Sequence, residues 1–163
     1  MKRPDRYHRP RRLSNIDYEV LARFRYLLRH FASFSEAAAR EVALTTQQHQ
    51  ALLAIRGFPG RGRVTIGELA EQLNARHHST VGLIDRLAAK SLVRRRRDVA
   101  DRRRVLVELT AEGGRLLGRL TLSHRDELRR LAPLLRRLLA QVVGVLSAGG
   151  PRRAAARVRR SAH

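Results

Sequence analysis

The residues of this chain best suited to chemistry are arginines and histidines, and the chemistry they suit is recognition of a polyanion. Arg76, His77, His78, Ser79, Gly82 and Arg86 fall in one short stretch, and Arg94 to Arg97 with Arg102, Arg103 and Arg104 in the next. Guanidinium forks match phosphate and the acceptor edge of guanine bidentately, while imidazole and hydroxyl groups can meet base edges or phosphates. The 163 residues carry 35 basic against 14 acidic side chains, a net charge of +21, which points to nucleic acid. Bond-making chemistry is not expected. No nucleophile stands with a base, and the adjacent Asp126 and Glu127 face different sides of a helix. The GFPGRGR segment lacks the lysine, flanking strand and spacing of a phosphate-binding loop. The absence of cysteine excludes disulfides, thiolate metal sites and thiol redox sensing. Seven histidines without a close His-x-x-x-His pair suggest no metal, and no cofactor is expected. No apolar run approaches the length of a signal core or a membrane span, so a soluble cytoplasmic protein with no membrane partner is expected.

The elements that must position these residues read as two short helices and a hairpin. Thr65 with Glu68 forms a capping-box signature ahead of Ile66, Leu69, Ala70 and Leu73 at helical spacing. Asn74 is a good N-cap for a second helix whose core face would be Val81, Ile84, Leu87 and Ala88, running to about Lys90. Its opposite face then carries Ala75, His78, Ser79, Gly82 and Arg86, with Arg76 and His77 in the first turn. Such an N-terminal half fits a major groove: Arg76 can pair with guanine and Gly82 lets the helix come close. A solvated helix start is the alternative reading of His77 and His78. Leu92 to Arg97 and Arg103 to Leu109 are β-rich runs around Asp98 to Asp101, with Val105, Val107 and Leu109 alternating against Leu106 and Glu108. Together these predict a helix-turn-helix followed by a β-hairpin wing. The wing arginines, seven against Asp98 and Asp101, would repel one another without a polyanion.

Helices flank this reader. Val20, Phe24, Leu27, Phe31, Phe34 and Ala38 form the stripe of a long N-terminal helix, and Thr45 with Gln48 caps the next, which ends at Gly57. Thr110 and Glu112 open a helix striped by Leu117, Leu120, His124, Leu128 and Leu131, and Pro133 is placed to begin another. The fold expected is mainly α with a small β-wing. Residues 14–43 and 111–149 would form a helical dimerisation region around a winged helix-turn-helix lobe at 44–110. Residues 1–13 and the tail 150–163 are expected to be flexible basic arms of +5 each, solvated or touching phosphate, which leaves +11 on residues 14–149. Phe24, His30, Phe31, Phe34 and His124 can line a cavity for an aromatic ligand or simply be core.

LTTQQHQALLAI (44–55), IGELAEQLN, LIDRLAAKSLV (83–93) and DRRRVLVELTAEG (101–113) resemble the MarR family of winged-helix transcriptional regulators, over roughly residues 17–147. The resemblance implies an obligate homodimer joined through its first and last helices, bound to a pseudo-palindromic operator in double-stranded DNA. It also implies release, as in many members, when a small aromatic or lipophilic effector enters a pocket between dimer helices and reader. The sequence-specific regulator so expected is most simply a repressor; the competing expectation is a nonspecific or architectural DNA-binding protein. Arg103 holds the Asp-x-Arg position of the wing and is expected in a minor groove, flanked by Arg102 and Arg104, with Asp101 orienting an arginine. The chain departs from the family at Val81-Gly82, where members commonly have Thr-Arg, and at Ser91, where glycine is usual.

Overall fold

The computed structural model describes residues 15–59, 62–99, 101–102 and 104–147; the expected arms at 1–13 and 150–163, and Arg103, lie outside the described residues. The elements run α1 (Asn15–Glu41), α2 (Thr46–Arg56), β1 (Arg63–Thr65), α3 (Ile66–Gln72), α4 (His77–Ala89), β2 (Val93–Arg97), β3 (Val105–Leu109) and α5 (Ala111–Ser147). This is the expected winged helix-turn-helix, mainly helical with a small antiparallel sheet. No helix among the described residues is long and apolar enough to cross a membrane.

Two compact units divide the chain. Arg29–Arg130 forms one, and the part of α1 through Leu28 forms the other with the part of α5 from Leu131. In the larger unit Leu52, Ile55, Val64, Leu69, Ile84 and Val107 are fully buried in one cluster, so α2, α3, α4 and the sheet share a core. In the smaller unit Val20, Leu27 and Leu138 are buried, whereas Leu21, Leu28, Leu139 and Val143 are more than half exposed.

The helix starts follow their sequence signals. Thr45 Oγ1 accepts the Gln48 N–H and the Gln48 side chain accepts the Thr45 N–H; Thr65 and Glu68 repeat the arrangement. The helix ends use left-handed residues. Ala43, Asn74 and Ser91 have φ of 55°, 47° and 57°. In each case the next N–H reaches back five residues: Leu44 to Ala39, Ala75 to Ala70 and Leu92 to Leu87. Asn74 therefore closes α3 and is not the N-cap of α4, a correction to the sequence reading; asparagine tolerates the left-handed region, and the closing bonds of α3 claim it.

Three further expectations change. β1 was not foreseen, because three residues are too few to show a period; it pairs with β3 through Val64 opposite Val107. β3 thereby becomes the central strand in the order β1-β3-β2. Leu106 and Val107 are both buried and Val105 is exposed, so the expected alternation fails where the strand gains a second neighbour. Finally, Pro133 starts no helix: α5 runs through it. Its ring removes one backbone bond, a local cost of about 3 kcal/mol, but the apolar stripe from Leu120 to Val142 stays in phase across it.

The hairpin returns to the end of α4 at one tight junction. The Thr110 N–H donates to Leu92 O at 3.1 Å, and Thr110 Oγ1 donates to Ser91 O at 2.7 Å. The same hydroxyl caps α5 by accepting the Gly113 N–H at 3.0 Å. A Cβ on Gly113 would sit 2.0 Å from Leu92 O, a backbone atom that no rotamer change can move away. Gly113→Ala is expected to destabilise the protein by about 3 kcal/mol or more in chemical denaturation. Ser91→Gly, by contrast, relieves a left-handed serine and is expected to raise stability by about 0.5–1 kcal/mol in the same measurement.

Candidate nucleic-acid interface

α4 is amphipathic, although its inner face differs from the expectation. Thr80, Leu83, Ile84 and Leu87 are buried, while Val81 and Ala88 are only partly covered. Thr80 takes the inner place because its hydroxyl donates to Arg76 O at 3.1 Å, so burial leaves no polar group unsatisfied. The helix is thereby rotated slightly from the stripe that apolar residues alone predict.

The outer face carries the expected residues. Arg76, His77, His78, Ser79 and Arg86 are exposed, and Gly82 is half-buried beside them. Arg76 is the N-cap, and its side chain makes no capping bond. The start of α4 thus lacks the N-cap acceptor that α2 and α3 have, which suits an arriving anion. A concavity of about 460 Å³ runs along this face, with His78, Ser79, Gly82 and Arg86 on one side and Gln47 and Gln50 of α2 on the other. A Cβ at Gly82 would meet only Arg86 Nη1, at 3.5 Å, so the protein's own packing does not require glycine there. Its effect is a shallow floor open to a ligand. Sequence reasoning missed Gln47 and Gln50, having assigned α2 wholly to the core; two polar residues flanking the inward Gln48 and His49 were the available signal.

The wing is less uniformly basic than its sequence. Arg94 Nε donates to Glu108 Oε1 at 2.7 Å, and Arg96 approaches the same oxygen at 3.5 Å across the β2–β3 pair. Burial raises the Glu108 pKa, but the bonds and charges of Arg94 and Arg96 outweigh it and hold the carboxylate below its usual range. Arg95 reaches from β2 to Asp85 of α4 at 2.7 Å, and Arg104 lies 3.8 Å from Glu68 of α3. Setting the seven wing arginines against Asp98 and Asp101 alone therefore overstated the charge, since Glu68, Asp85 and Glu108 also draw on them. Arg97 and Arg102 stand exposed at the tip. Asp101 is half-buried, and its carbonyl accepts the Arg104 N–H at 2.9 Å to form the tip turn.

A second cavity, of about 390 Å³, opens elsewhere in the larger unit, with Phe31, Leu53 and Leu128 among its apolar walls. His124 lies in that wall, fixed by contacts of Nδ1 with Leu120 O at 2.7 Å and of Nε2 with Ser35 Oγ at 2.9 Å. The rings of Phe31 and Phe34 meet it edge-on at 5.8 and 5.3 Å. Of the residues expected here, Phe31 and His124 line the cavity, Phe34 backs His124, and Phe24 does not line it. His30 instead stands 3.5 Å from Glu127, a buried carboxylate that also takes Arg130. His49, not foreseen, is only 3% exposed and stacks against His124 at 4.7 Å. Burial, with the neighbouring His124, lowers its pKa below the ordinary 6.5. Among the described residues no group of three or more His, Asp or Glu side chains could hold a metal ion.

Comparison with known proteins agrees with this geometry. The model of the MarR family matches residues 44–104, which hold α2 through most of the wing. The chain is 33% identical over 106 residues to the uncharacterized HTH-type transcriptional regulator YsmB of Bacillus subtilis, covering 63% of this chain and 70% of that one. It is 34% identical over 110 residues to the HTH-type transcriptional repressor NicR of Pseudomonas putida, covering 64% and 67%. A variant of S. aureus MepR bound to an oligodeoxyribonucleotide superposes with a TM-score of 0.59 at 21% identity, over 80% of this chain and 96% of that one. The chain belongs to the MarR family of winged-helix DNA-binding transcriptional regulators.

Proposed function

We propose that the protein is a cytoplasmic homodimeric repressor that binds a pseudo-palindromic operator and releases it when a small aromatic or lipophilic effector fills the cavity beside His49 and His124. It does no bond chemistry. The observation that carries the DNA reading is the outer face of α4, where Arg76, His77, His78 and Ser79 surround an uncapped helix start beside the Gly82–Arg86 concavity. In a major groove, Arg76 and Arg86 supply bidentate donors while the histidines and Ser79 meet base edges or phosphate. Arg102 and Arg104 of the wing, with Arg103 between them in sequence, take the minor groove and its flanking phosphates. Asp101 shapes the tip that presents them. The repressor NicR and the DNA-bound MepR variant support this reading.

Dimerisation draws on the helices outside residues 44–110. In the smaller unit Ile16, Tyr18, Leu21, Leu28, Leu139 and Val143 are each more than half exposed, an apolar surface that a monomer would leave in water. A second copy covering it would set two recognition helices about one DNA turn, ~34 Å, apart. Residues 14–43 and 111–149 are then the dimerisation region and 44–110 the reader, with the basic arms free to add phosphate contacts.

A net charge of +21 favours a second reading, nonspecific coating of DNA. Measurement of affinity for the promoter beside its own reading frame against scrambled DNA, at near-physiological salt, separates them. The repressor reading expects a preference of about 10³ or more, and equal affinities would overturn it. Arg86→Ala is expected to lose about 1–3 kcal/mol on the operator and to relax sequence preference. Arg102→Ala should weaken all DNA alike and lower the salt slope by about one. Leu21→Glu combined with Leu139→Glu is expected to yield monomers in sedimentation equilibrium and to abolish tight operator binding; a double variant that stays dimeric would refute the proposed interface.

A further inference from the structure

The concavity beside α4 has a second wall that the two-helix motif does not use. That wall is α2, whose Gln47 and Gln50, three residues apart, lie on one exposed face. The helix carrying them is held at its start by the Thr45–Gln48 capping box and along its inner face by Ala51, Leu52 and Ile55, all fully buried. Across about 460 Å³ stand His78, Ser79 and Arg86 of α4, with Gly82 as the floor. The lining thus offers amide, imidazole, hydroxyl and guanidinium donors from two helices, and it contains no carboxylate. Asp85, the one acid of α4, is turned to Arg95 of β2 at 2.7 Å. Such a set fits an anion whose oxygens accept from several directions at once, which is the chemistry of a phosphate group.

We propose that this notch seats one backbone phosphate of the bound DNA per protomer, held from the α2 side by the neutral amides of Gln47 and Gln50, so that α2 fixes the register in which α4 enters the groove. The proposal rests on the reading of α4 as the helix that enters a major groove and adds a contact element outside the two-helix motif. Geometry favours a phosphate over a base edge. A helix in a groove about 12 Å wide has a sugar-phosphate strand along each flank, and base edges lie only at the groove floor ahead of it. Gln47 and Gln50 stand to one flank of α4, across the concavity, and so meet the strand that borders the groove. Phosphate contacts of this kind set position and carry no base sequence. An amide also differs from an arginine in one measurable respect. Its hydrogen bond to phosphate neutralises no charge and displaces no counter-ion, so it adds affinity without steepening the salt dependence.

DNA titrations of the full chain across a range of salt concentrations test this. Gln47→Ala combined with Gln50→Ala is expected to weaken binding about tenfold, equally on the promoter fragment and on scrambled DNA, with the slope of log affinity against log salt unchanged. Gln50→Lys is expected to bind more tightly and to steepen that slope by about one, because an ammonium in the notch releases a counter-ion. Both side chains are exposed, so chemical denaturation of these variants should match the wild type. On promoter fragments carrying one methylphosphonate at a time, the wild type should show a loss at one phosphate per half-site that shrinks in the double alanine variant, the losses elsewhere staying the same. An alanine loss confined to the promoter fragment would make the glutamines base readers, and an unchanged affinity would make them bystanders; either result overturns the seat. Saturation of the Gln47 and Gln50 side-chain amide resonances by millimolar inorganic phosphate without DNA would assign the notch to a soluble anion and overturn it too. Equal affinity of the wild type for the two DNAs would remove the repressor reading, while an alanine loss on both would still uphold the seat.

Discussion

The backbone contact between Gly113 and Leu92 is the constraint on which the larger unit depends. At that point the end of α4, the start of β2, the end of β3 and the start of α5 converge within two residues of one another. The close approach exists only because residue 113 has no side chain. Thr110 completes it by serving two partners with one hydroxyl, donating to Ser91 O and accepting from Gly113 N. The left-handed Ser91 turns the chain sharply enough for Leu92 to reach back to Leu87 while presenting its own carbonyl to Thr110. The end of α4 and the start of α5 are therefore held by one main-chain bond and by two bonds of a single hydroxyl, around a backbone contact that leaves no room for a side chain.

Electrostatics follows a consistent division of labour. In a chain with so few acids, three of those in the winged lobe act as struts: Glu68 and Asp85 reach from helices to Arg104 and Arg95, and Glu108 pairs across the hairpin with Arg94 and Arg96. Exposed pairs of this kind contribute little stability, about 0–1 kcal/mol each. Their effect is directional. Arg94 and Arg96 are drawn onto β3 and Arg95 onto α4, while Arg97 and Arg102 stand exposed at the hairpin end.

Much of this was legible from residue order. Both threonine capping boxes, the apolar stripe of α1, the two-helix reader and the hairpin follow from local rules, because each involves residues within one or two turns of each other. What escaped depended on partners distant in sequence or on a polar residue behaving as an apolar one. β1 exists through β3, more than forty residues away. Thr80 replaces Val81 in the core only because Arg76 O is within reach, and Asn74 serves the helix behind it, not the one ahead. The continuity of α5 through Pro133 ran against a rule about proline that is sound for isolated helices. The His49–His124 contact joins two helices across 75 positions, and neither histidine alone signals it.

The bare N-cap of α4 carries a consequence of its own. A helix begun by arginine forgoes roughly 1 kcal/mol that an acceptor side chain at that position would contribute. In the unbound protein the first turn, carrying the exposed His77, His78 and Ser79, lacks the capping bond that closes the starts of α2 and α3, whereas the turns around Leu83 and Leu87 are buried. A phosphate oxygen at that end would supply the missing acceptor. The nucleic acid would then cap the helix that reads it, and part of the binding energy would come from that bond, independent of base sequence.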